Sequence, residues 1–409
     1  MEPLIKDDLD SLLTSPAFVQ DPYPVFDRLR DTDPVYWSDA WNCWVVTSYE
    51  DVVGLFKDVA HFSNRNRFDA LFAAVPPDVR GDIQPLETHY TGIGLIHSDP
   101  PDHTRLRKLI HMAFTPRVIR EMRESVQNIV DRHLDKVQAD GQMDALWDLA
   151  FPLPATVIAI MLGVPLEHID KLKSWTVESL LFQATGRASE SDLKRSQTAL
   201  LEMKDYLRTL VRARRAEPAD DLLTALVQAE DAGDKLTEDE LLSTCVTLMV
   251  AGHETTTNLI ANGLLTMLRN PDILTKLREN RALIPDAVEE FLRLESPIQR
   301  NRRVISSDFE YKGHVMRKGE AVLQMLGAAN RDPRQFERPA EFDATRNPNP
   351  HISFGLGIHF CLGAPLARLE APIAFNSLFD RFPNLQLATD TVEWQPGVMR
   401  SLSSLPVRF

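Results

Sequence analysis

Cysteine is scarce in this chain: Cys43, Cys245 and Cys361 are the only thiols in 409 residues. They lie far apart, which excludes a disulfide framework or a Cys-x-x-Cys metal site as the organising feature. Basic charge is also short, with 45 Lys plus Arg against 59 Asp plus Glu and a formal net charge of -14. That balance argues against generic binding to nucleic acid or an anionic membrane, and any basic docking surface must be local. Long apolar runs are missing. The longest, FPLPATVIAIMLGVPL, is interrupted by prolines and falls short of a bilayer span. The acidic start, MEPLIKDDLD, lacks the cationic, apolar and small-residue order of a signal peptide. No repeat, low-complexity tract or Gly/Ser-rich linker divides the sequence. The expectation is a single soluble, cytoplasmic domain over residues 1–409 that binds neither nucleic acid nor membrane.

What is present is apolar material for a large core, 44% hydrophobic residues against 25% charged. Most of the chain has helical periodicity. Helix starts are read near Asp99, Thr237 and Pro271, and Thr115-Pro116 opens the amphipathic stretch RVIREMRESVQNIVDRHLDKV. Strand-like stretches are fewer: PVYWSDAWNCWVVT, DFEYKGHVMRKGEAVLQML and the tail LQLATDTVEWQPGVMRSLSSLPVRF. The predicted fold class is mainly α with small peripheral β-sheets. From about Phe62 to Pro101 the sequence is poorly periodic and reads as a long loop that covers or enters a binding site.

Cys43 and Cys245 lie in apolar stretches and read as buried small hydrophobes. Cys361 differs, because it stands in the turn FGLGIHFCLG ahead of the helical run LGAPLARLEAPIAFNSLFDRF. Gly355, Gly357 and Gly363 permit backbone angles that bring peptide N–H groups toward the sulfur. A thiol at a helix N-terminus also has its anion favoured by the helix dipole. A catalytic nucleophile, a redox sensor and an axial ligand to haem iron all remain open on that evidence, beside an inert cysteine in a tight turn.

The spacing Phe-x-x-Gly-x-x-x-Cys-x-Gly, here Phe354, Gly357, Cys361 and Gly363, resembles the haem-binding signature of the cytochrome P450 superfamily, specifically its soluble bacterial members. The resemblance implies a P450-like fold and haem b (iron protoporphyrin IX), with the Cys361 thiolate as axial ligand. It also implies that Phe354 shields the sulfur and backbone amides tune it.

A second stretch interrupts an apolar helix with Gly252, His253, Glu254 and three threonines. A threonine hydroxyl can bond to the carbonyl four residues back, which for Thr255 belongs to Ala251, and can loosen the helix there. AGHETT is similar to the family's oxygen-activation motif, which makes Glu254 a proton relay and Thr255 the holder of its hydrogen-bond network. His253 occupies a variable position with a packing or solvent-facing role. SDPPDHTRLRKL reads as a helix start capped by Asp99, with His103 and Arg107 on one face. The resemblance makes these two, with Arg303 and His359, the partners of the haem propionates. Arg302, adjacent to Arg303, leaves open which of the two turns inward. Glu290 and Arg293 in EEFLR resemble the family's buried structural ion pair. Where the family often adds an arginine before a phenylalanine, this chain has Glu341 before Phe342, so Arg338 and Arg346 are the candidates for a third partner.

The implied function is a monooxygenase that hydroxylates or otherwise oxidises a hydrophobic small molecule with O2. Its two electrons would come from a ferredoxin and an NAD(P)H-dependent ferredoxin reductase, docked near Arg105, Lys108, Arg117 and Arg368. By analogy Phe68, Phe72, Leu95, Leu248, Ala251, Ile298 and Leu402 line the substrate pocket. The alternatives are a hydrogen-peroxide-dependent peroxygenase and a non-enzymatic haem-thiolate sensor or carrier.

Overall fold

The structure is a computed structural model that describes residues 6–184, 189–231 and 233–409. It is 59% helical with small sheets, the predicted class. The chain divides into two compact units. One comprises Met1–Arg67, Asn258–Cys361 and Gln386–Leu405; the other comprises Phe68–Thr257, Leu362–Leu385 and Pro406–Phe409.

The first unit is built on a five-stranded sheet of β1 (Val35–Ser38), β2 (Cys43–Val46), β3 (Phe62–Ser63), β4 (Asn301–Ile305) and β5 (Ala321–Gln324). Their spatial order is β1-β2-β5-β4-β3. β5 runs parallel to β2 and antiparallel to β4. Side chains alternate between the two faces of a strand. Cys43, Val45 and Leu323 therefore enter one apolar cluster with Phe26 and Leu29. Trp44, Val46, Val322 and Ile305 enter another with Val52, Leu55 and Phe56. Each fully buried aliphatic or aromatic side chain contributes roughly 1.5–3 kcal/mol to this packing. The same alternation separates the two arginines: Val322 stands opposite Arg303 and Leu323 opposite Arg302, so Arg303 takes the Phe56 face and Arg302 the Cys43 face. Ser48 starts the Tyr49–Lys57 helix that carries Phe56, its hydroxyl accepting from Asp51 N at 3.2 Å.

The second unit is helical. Thr115 caps the Pro116–Val137 helix by accepting from Val118 N at 3.3 Å. Against that helix packs Ala364–Arg381, where Gln127 Nε2 donates to Ser377 Oγ at 2.9 Å and Arg381 pairs with Asp131 at 3.0 Å. The Glu238–Arg269 helix opens on a reciprocal cap: Glu240 N donates to Thr237 Oγ1 at 3.2 Å, and Thr237 N donates to Glu240 Oε2 at 2.9 Å. Its residues through Thr257 belong to this unit.

Two expectations are corrected. The helix expected to be capped by Asp99 begins at Asp102, with Pro101 in the cap position and no side-chain cap bond. Asp99 and Pro100 are each followed by a proline, which disfavours the α conformation for both. The stretch expected as a loop contains three helices, Asp69–Ala73, Pro77–Asp82 and Gln84–Thr91. At five to eight residues each, they span little more than two turns at most, too few for apolar periodicity to recur.

Candidate active site

Cys361 belongs to the first unit and follows a single helical turn, Gly357–His359. The turn closes through Gly355 N to Ile352 O at 2.9 Å, Phe360 N to Gly357 O at 3.1 Å and Cys361 N to Phe354 O at 2.9 Å. Gly357 has φ +69°, and a Cβ there would lie 3.4 Å from the carbonyl oxygen of Phe56. Glycine is favoured here by the left-handed backbone. Gly355, also at φ +69°, lies against the Phe56 ring, where a Cβ would stand 3.6 Å from Cε1. Arg303 is buried and holds its guanidinium carbon 5.6 Å from the centre of that ring. Phe56 thus joins the cysteine turn to Arg303, a role that no sequence motif announced. Phe354 is half-buried, with its ring 6.2 Å from that of Phe360, and His359 is half-buried.

The segment before the turn is tied to the Ile284–Leu294 helix by a buried network. Asn330 Nδ2 donates to Ser296 Oγ and to Ser353 Oγ, both at 2.8 Å. Ile352 N donates to Asn330 Oδ1 at 2.8 Å, and Ser353 Oγ donates to Leu292 O at 2.6 Å. Glu290 and Arg293 of that helix are both 0% exposed and meet in a two-pronged bond, each contact 2.8 Å. Arg293 also donates to the carbonyls of Asn330, Pro339 and Glu341. Glu290 accepts further bonds from Asp343 N at 3.0 Å, Asn349 Nδ2 at 3.1 Å and Arg346 Nε at 3.2 Å. Arg346 is the third charge on the pair. Arg338 instead reaches Glu341 at 3.1 Å on the surface.

In the second unit the Glu238–Arg269 helix runs unbroken through AGHETT. Thr255 Oγ1 donates to Ala251 O at 2.8 Å, and Thr257 Oγ1 donates to His253 O at 3.0 Å. The expected loosening is absent: a Cβ on Gly252 would stand 3.2 Å from Ile158 Cδ1, so close packing on the Pro152–Met161 helix holds this turn. His253 is buried with its ring centre 4.2 Å from that of Phe151, and burial pushes its pKa down to about 4. It packs. Burial pushes the Glu254 carboxyl the other way, up to about 7. That value makes Glu254 a carboxylic acid able to give up a proton near neutrality.

His103 is buried and Arg107 half-buried, one turn apart on Asp102–Ala113. Arg105 of the same helix turns to Glu240 and Asp234. Of the expected pocket residues, Phe68 is half-buried among the rings of Tyr90, His97 and Phe182 at 5.4–5.9 Å. Phe72 is wholly buried and stacked on Phe182 at 5.8 Å, and Leu95 is buried. Leu248 is half-buried and Ala251 exposed. In the first unit Ile298 is half-buried and bridged to Met399, while Leu402 is buried and bridged to Trp394.

The donor set fits a macrocyclic iron cofactor. Cys43 and Cys245 are sealed in cores with their thiols pushed up to about 12 by burial, whereas Cys361 is accessible. Among the described residues no group of three His, Cys, Asp or Glu is placed to chelate a metal. Cys361 is thus outside any chelating side-chain cluster among the described residues. Cationic or donor side chains suited to carboxylates are present at His103, Arg107, Arg303 and His359. Among the described residues no helix is long and apolar enough to cross a membrane.

A family model described as Cytochrome P450 matches residues 68–399. The chain is 41% identical over 402 residues to the biotin biosynthesis cytochrome P450 of Bacillus subtilis (strain 168), covering 98% of this chain and 99% of that protein. It is 40% identical over 407 residues to the polyketide biosynthesis cytochrome P450 PksS of the same organism, covering 95% of this chain and 96% of that protein. Among solved structures it is similar to P450BioI in complex with hexadec-9Z-enoic acid ligated acyl carrier protein. That match has a TM-score of 0.88 at 41% identity and covers 96% of this chain and 100% of that one.

Proposed function

The chain belongs to the cytochrome P450 family, monooxygenases that carry haem b, and on that premise we propose that Cys361 is the axial iron ligand of an enzyme oxidising an apolar organic substrate. The observation that carries this reading is the cysteine turn itself: an accessible thiol after two left-handed glycines, in a turn packed on Phe56 beside the buried Arg303. When bound, the haem supplies the activation of O2 and the insertion of one oxygen atom.

The chain's own residues do the rest. Cys361 is held in place by its N–H bond to Phe354 O, and the role proposed for the Phe354 ring is to shield the sulfur. His103, Arg107, Arg303 and His359 would hold the haem propionates through charge-assisted hydrogen bonds. Gly357 supplies the left-handed backbone of the turn, whereas Gly363, at φ -82°, caps the following helix at an angle any residue adopts, contrary to the expectation from sequence. Glu254, with its pKa raised to about 7, gives up a proton that the Thr255 hydroxyl helps to position. That acid and alcohol favour O2 over peroxide as co-substrate. Glu290, Arg293 and Arg346 are structural.

Family members receive electrons from redox partners, and the partners proposed here are a ferredoxin and its NAD(P)H-dependent reductase. The docking surface proposed for them comprises Arg105, Lys108, Arg117 and Arg368, of which Arg117 pairs with Glu121 at 2.8 Å, Arg105 pairs with Glu240 and Asp234, and Lys108 and Arg368 are exposed. The apolar character of Phe68, Phe72, Leu95, Leu248, Ala251, Ile298 and Leu402 supports a hydrophobic ligand. The fatty acid on the carrier protein of a similar structure makes long-chain acyl compounds the first class to screen.

The test is the absorption spectrum of the reduced carbon monoxide complex in wild type and Cys361→Ser. A strongly red-shifted Soret band lost in the variant supports the reading. A histidine-type spectrum in wild type overturns it.

A further inference from the structure

The Ile284–Leu294 helix carries two adjacent carboxylates, Glu289 and Glu290, and the proposed function uses only the second. Successive side chains on a helix diverge by about 100°, and these two meet different parts of the chain. Glu290 meets Arg293 and Arg346, whereas Glu289 Oε2 lies 2.9 Å from His351 Nε2. The side chain of His351 is 3% exposed and that of Glu289 25%. A pair on the open surface contributes little, because water competes for both partners. This one is largely closed to water and fixes the imidazole.

The other ring nitrogen decides where the hydrogen lies. Ser353 N donates to His351 Nδ1 at 3.3 Å. A peptide N–H can only donate, so Nδ1 accepts and Nε2 carries the hydrogen that Glu289 receives. Both nitrogens are committed, and the ring cannot turn without losing a bond. Against it lies Phe354, with ring centres 6.0 Å apart and planes at 50°, within the range of aromatic pairing. Phe354 is also the residue whose carbonyl accepts from Cys361 N at 2.9 Å. A carboxylate, an imidazole and a phenylalanine thus lead in sequence to the cysteine turn.

The backbone on either side of His351 has anchors of its own. Tyr49 Oη donates to Pro350 O at 2.7 Å, and Ile352 N donates to Asn330 Oδ1 at 2.8 Å. Loss of the Glu289–His351 bond therefore leaves the segment in place and frees the imidazole, and with it the Phe354 ring. We propose that Glu289 and His351 are positioning residues that hold Phe354 at the cysteine turn and thereby set the reduction potential of the iron. This rests on the reading of Cys361 as the axial ligand. Reduction adds a negative charge to the iron and its thiolate. A looser Phe354 lets water approach the sulfur, which stabilises that charge and raises the potential.

The test is the midpoint potential of the haem-loaded, substrate-free protein, read by spectroelectrochemical titration beside urea denaturation. His351→Asn keeps an acceptor for Ser353 N but loses the ring and its reach to Glu289; Glu289→Ala removes the partner of the imidazole. Each is expected to shift the ferric–ferrous equilibrium by up to about tenfold toward ferrous iron, which is about 59 mV for one electron. Glu289→Gln removes the charge but keeps an acceptor for Nε2, and its potential is expected to stay close to wild type. Arg346→Ala loosens the same helix at Glu290 and is expected to lower the urea midpoint without moving the potential. In a Phe354→Leu background, Glu289→Ala is expected to add no further shift. If Glu289→Ala does not retain haem, Glu289→Asp, one methylene shorter, takes its place with the same expectation. Potentials unmoved in both His351→Asn and the Glu289 variant overturn the proposal. So does an equal shift in Glu289→Gln, which would mark a bare charge effect, an equal shift in Arg346→Ala, or a full further shift in the Phe354→Leu background. A thiolate-type carbon monoxide spectrum with unmoved potentials overturns the positioning role alone, whereas a histidine-type spectrum overturns the axial-ligand reading and this role with it.

Discussion

Glu254 and Thr255 are adjacent on one helix yet differ in what holds them. Thr255 has its hydroxyl hydrogen committed to Ala251 O at 2.8 Å, leaving its oxygen to accept a bond. Thr255→Ala is expected to keep substrate affinity and reductant consumption while product falls and hydrogen peroxide rises, read as the ratio of product to NAD(P)H oxidised. Unchanged coupling would end the proton-positioning role. Glu254 titrates at about 7 instead of its ordinary 4.5 because burial disfavours the anion. The acid form is the donor, so turnover is expected to decline as pH rises through about 7. In Glu254→Gln that step disappears and the rate drops by roughly 10² to 10⁴-fold, the usual range of general acid catalysis. Stability follows the same sign. A carboxyl whose folded pKa is raised costs nothing below its unfolded value and destabilises progressively as pH climbs from about 4.5 to about 7. Denaturation midpoints over that window are expected to fall less in Glu254→Gln than in wild type, the difference reaching at most about 3 kcal/mol.

At the scale of elements, the Ile284–Leu294 helix is tied to the chain before Cys361 by charge and hydrogen bonds sealed from water. Glu290 takes five donors and Arg293 five acceptor contacts. Removing one partner strands a buried charge. Arg293→Ala is expected to cost about 3–5 kcal/mol in urea denaturation. Arg346→Ala costs less, since Glu290 keeps its bonds to Arg293. Equal losses in the two variants would contradict that ranking. The cysteine turn has a different weak point. Gly357→Ala puts a Cβ on a left-handed residue and 3.4 Å from Phe56 O, a penalty of roughly 1–2 kcal/mol. Reduced haem retention is expected, measured as the Soret-to-protein absorbance ratio after purification.

At the scale of the whole molecule, the chain carries a net charge of -14, so an acidic partner such as the proposed ferredoxin would need a local basic surface against a repulsive background. Lys108→Glu and Arg368→Glu are expected to slow reduction by ferredoxin in stopped-flow traces, most strongly at low salt. Arg117→Glu is expected to act in the same direction. Rates indifferent to all three reversals and to salt would remove the patch.

The family was legible because its chemistry is written locally. Phe354, Gly357, Cys361 and Gly363 lie within ten residues, Glu254 and Thr255 are adjacent, and a thiol, an acid or a left-handed glycine is recognisable without its neighbours. The helical class was legible because apolar periodicity repeats over long segments. The three short helices between Phe62 and Pro101 were not, for want of turns. Arg346 could not be singled out from Arg338, nor Arg303 from Arg302, because strand register and chain return decide which guanidinium meets which face. The loosened turn at Gly252 was expected from local chemistry and did not form, because Ile158 packs into it. Phe56, which joins the cysteine turn to Arg303, carries no motif at all. Residue chemistry and spacing are properties of the chain and determined the cofactor class; burial, counter-charge and contact between distant segments exist only after folding. Those alone decided the Glu254 pKa and the third charge on Glu290.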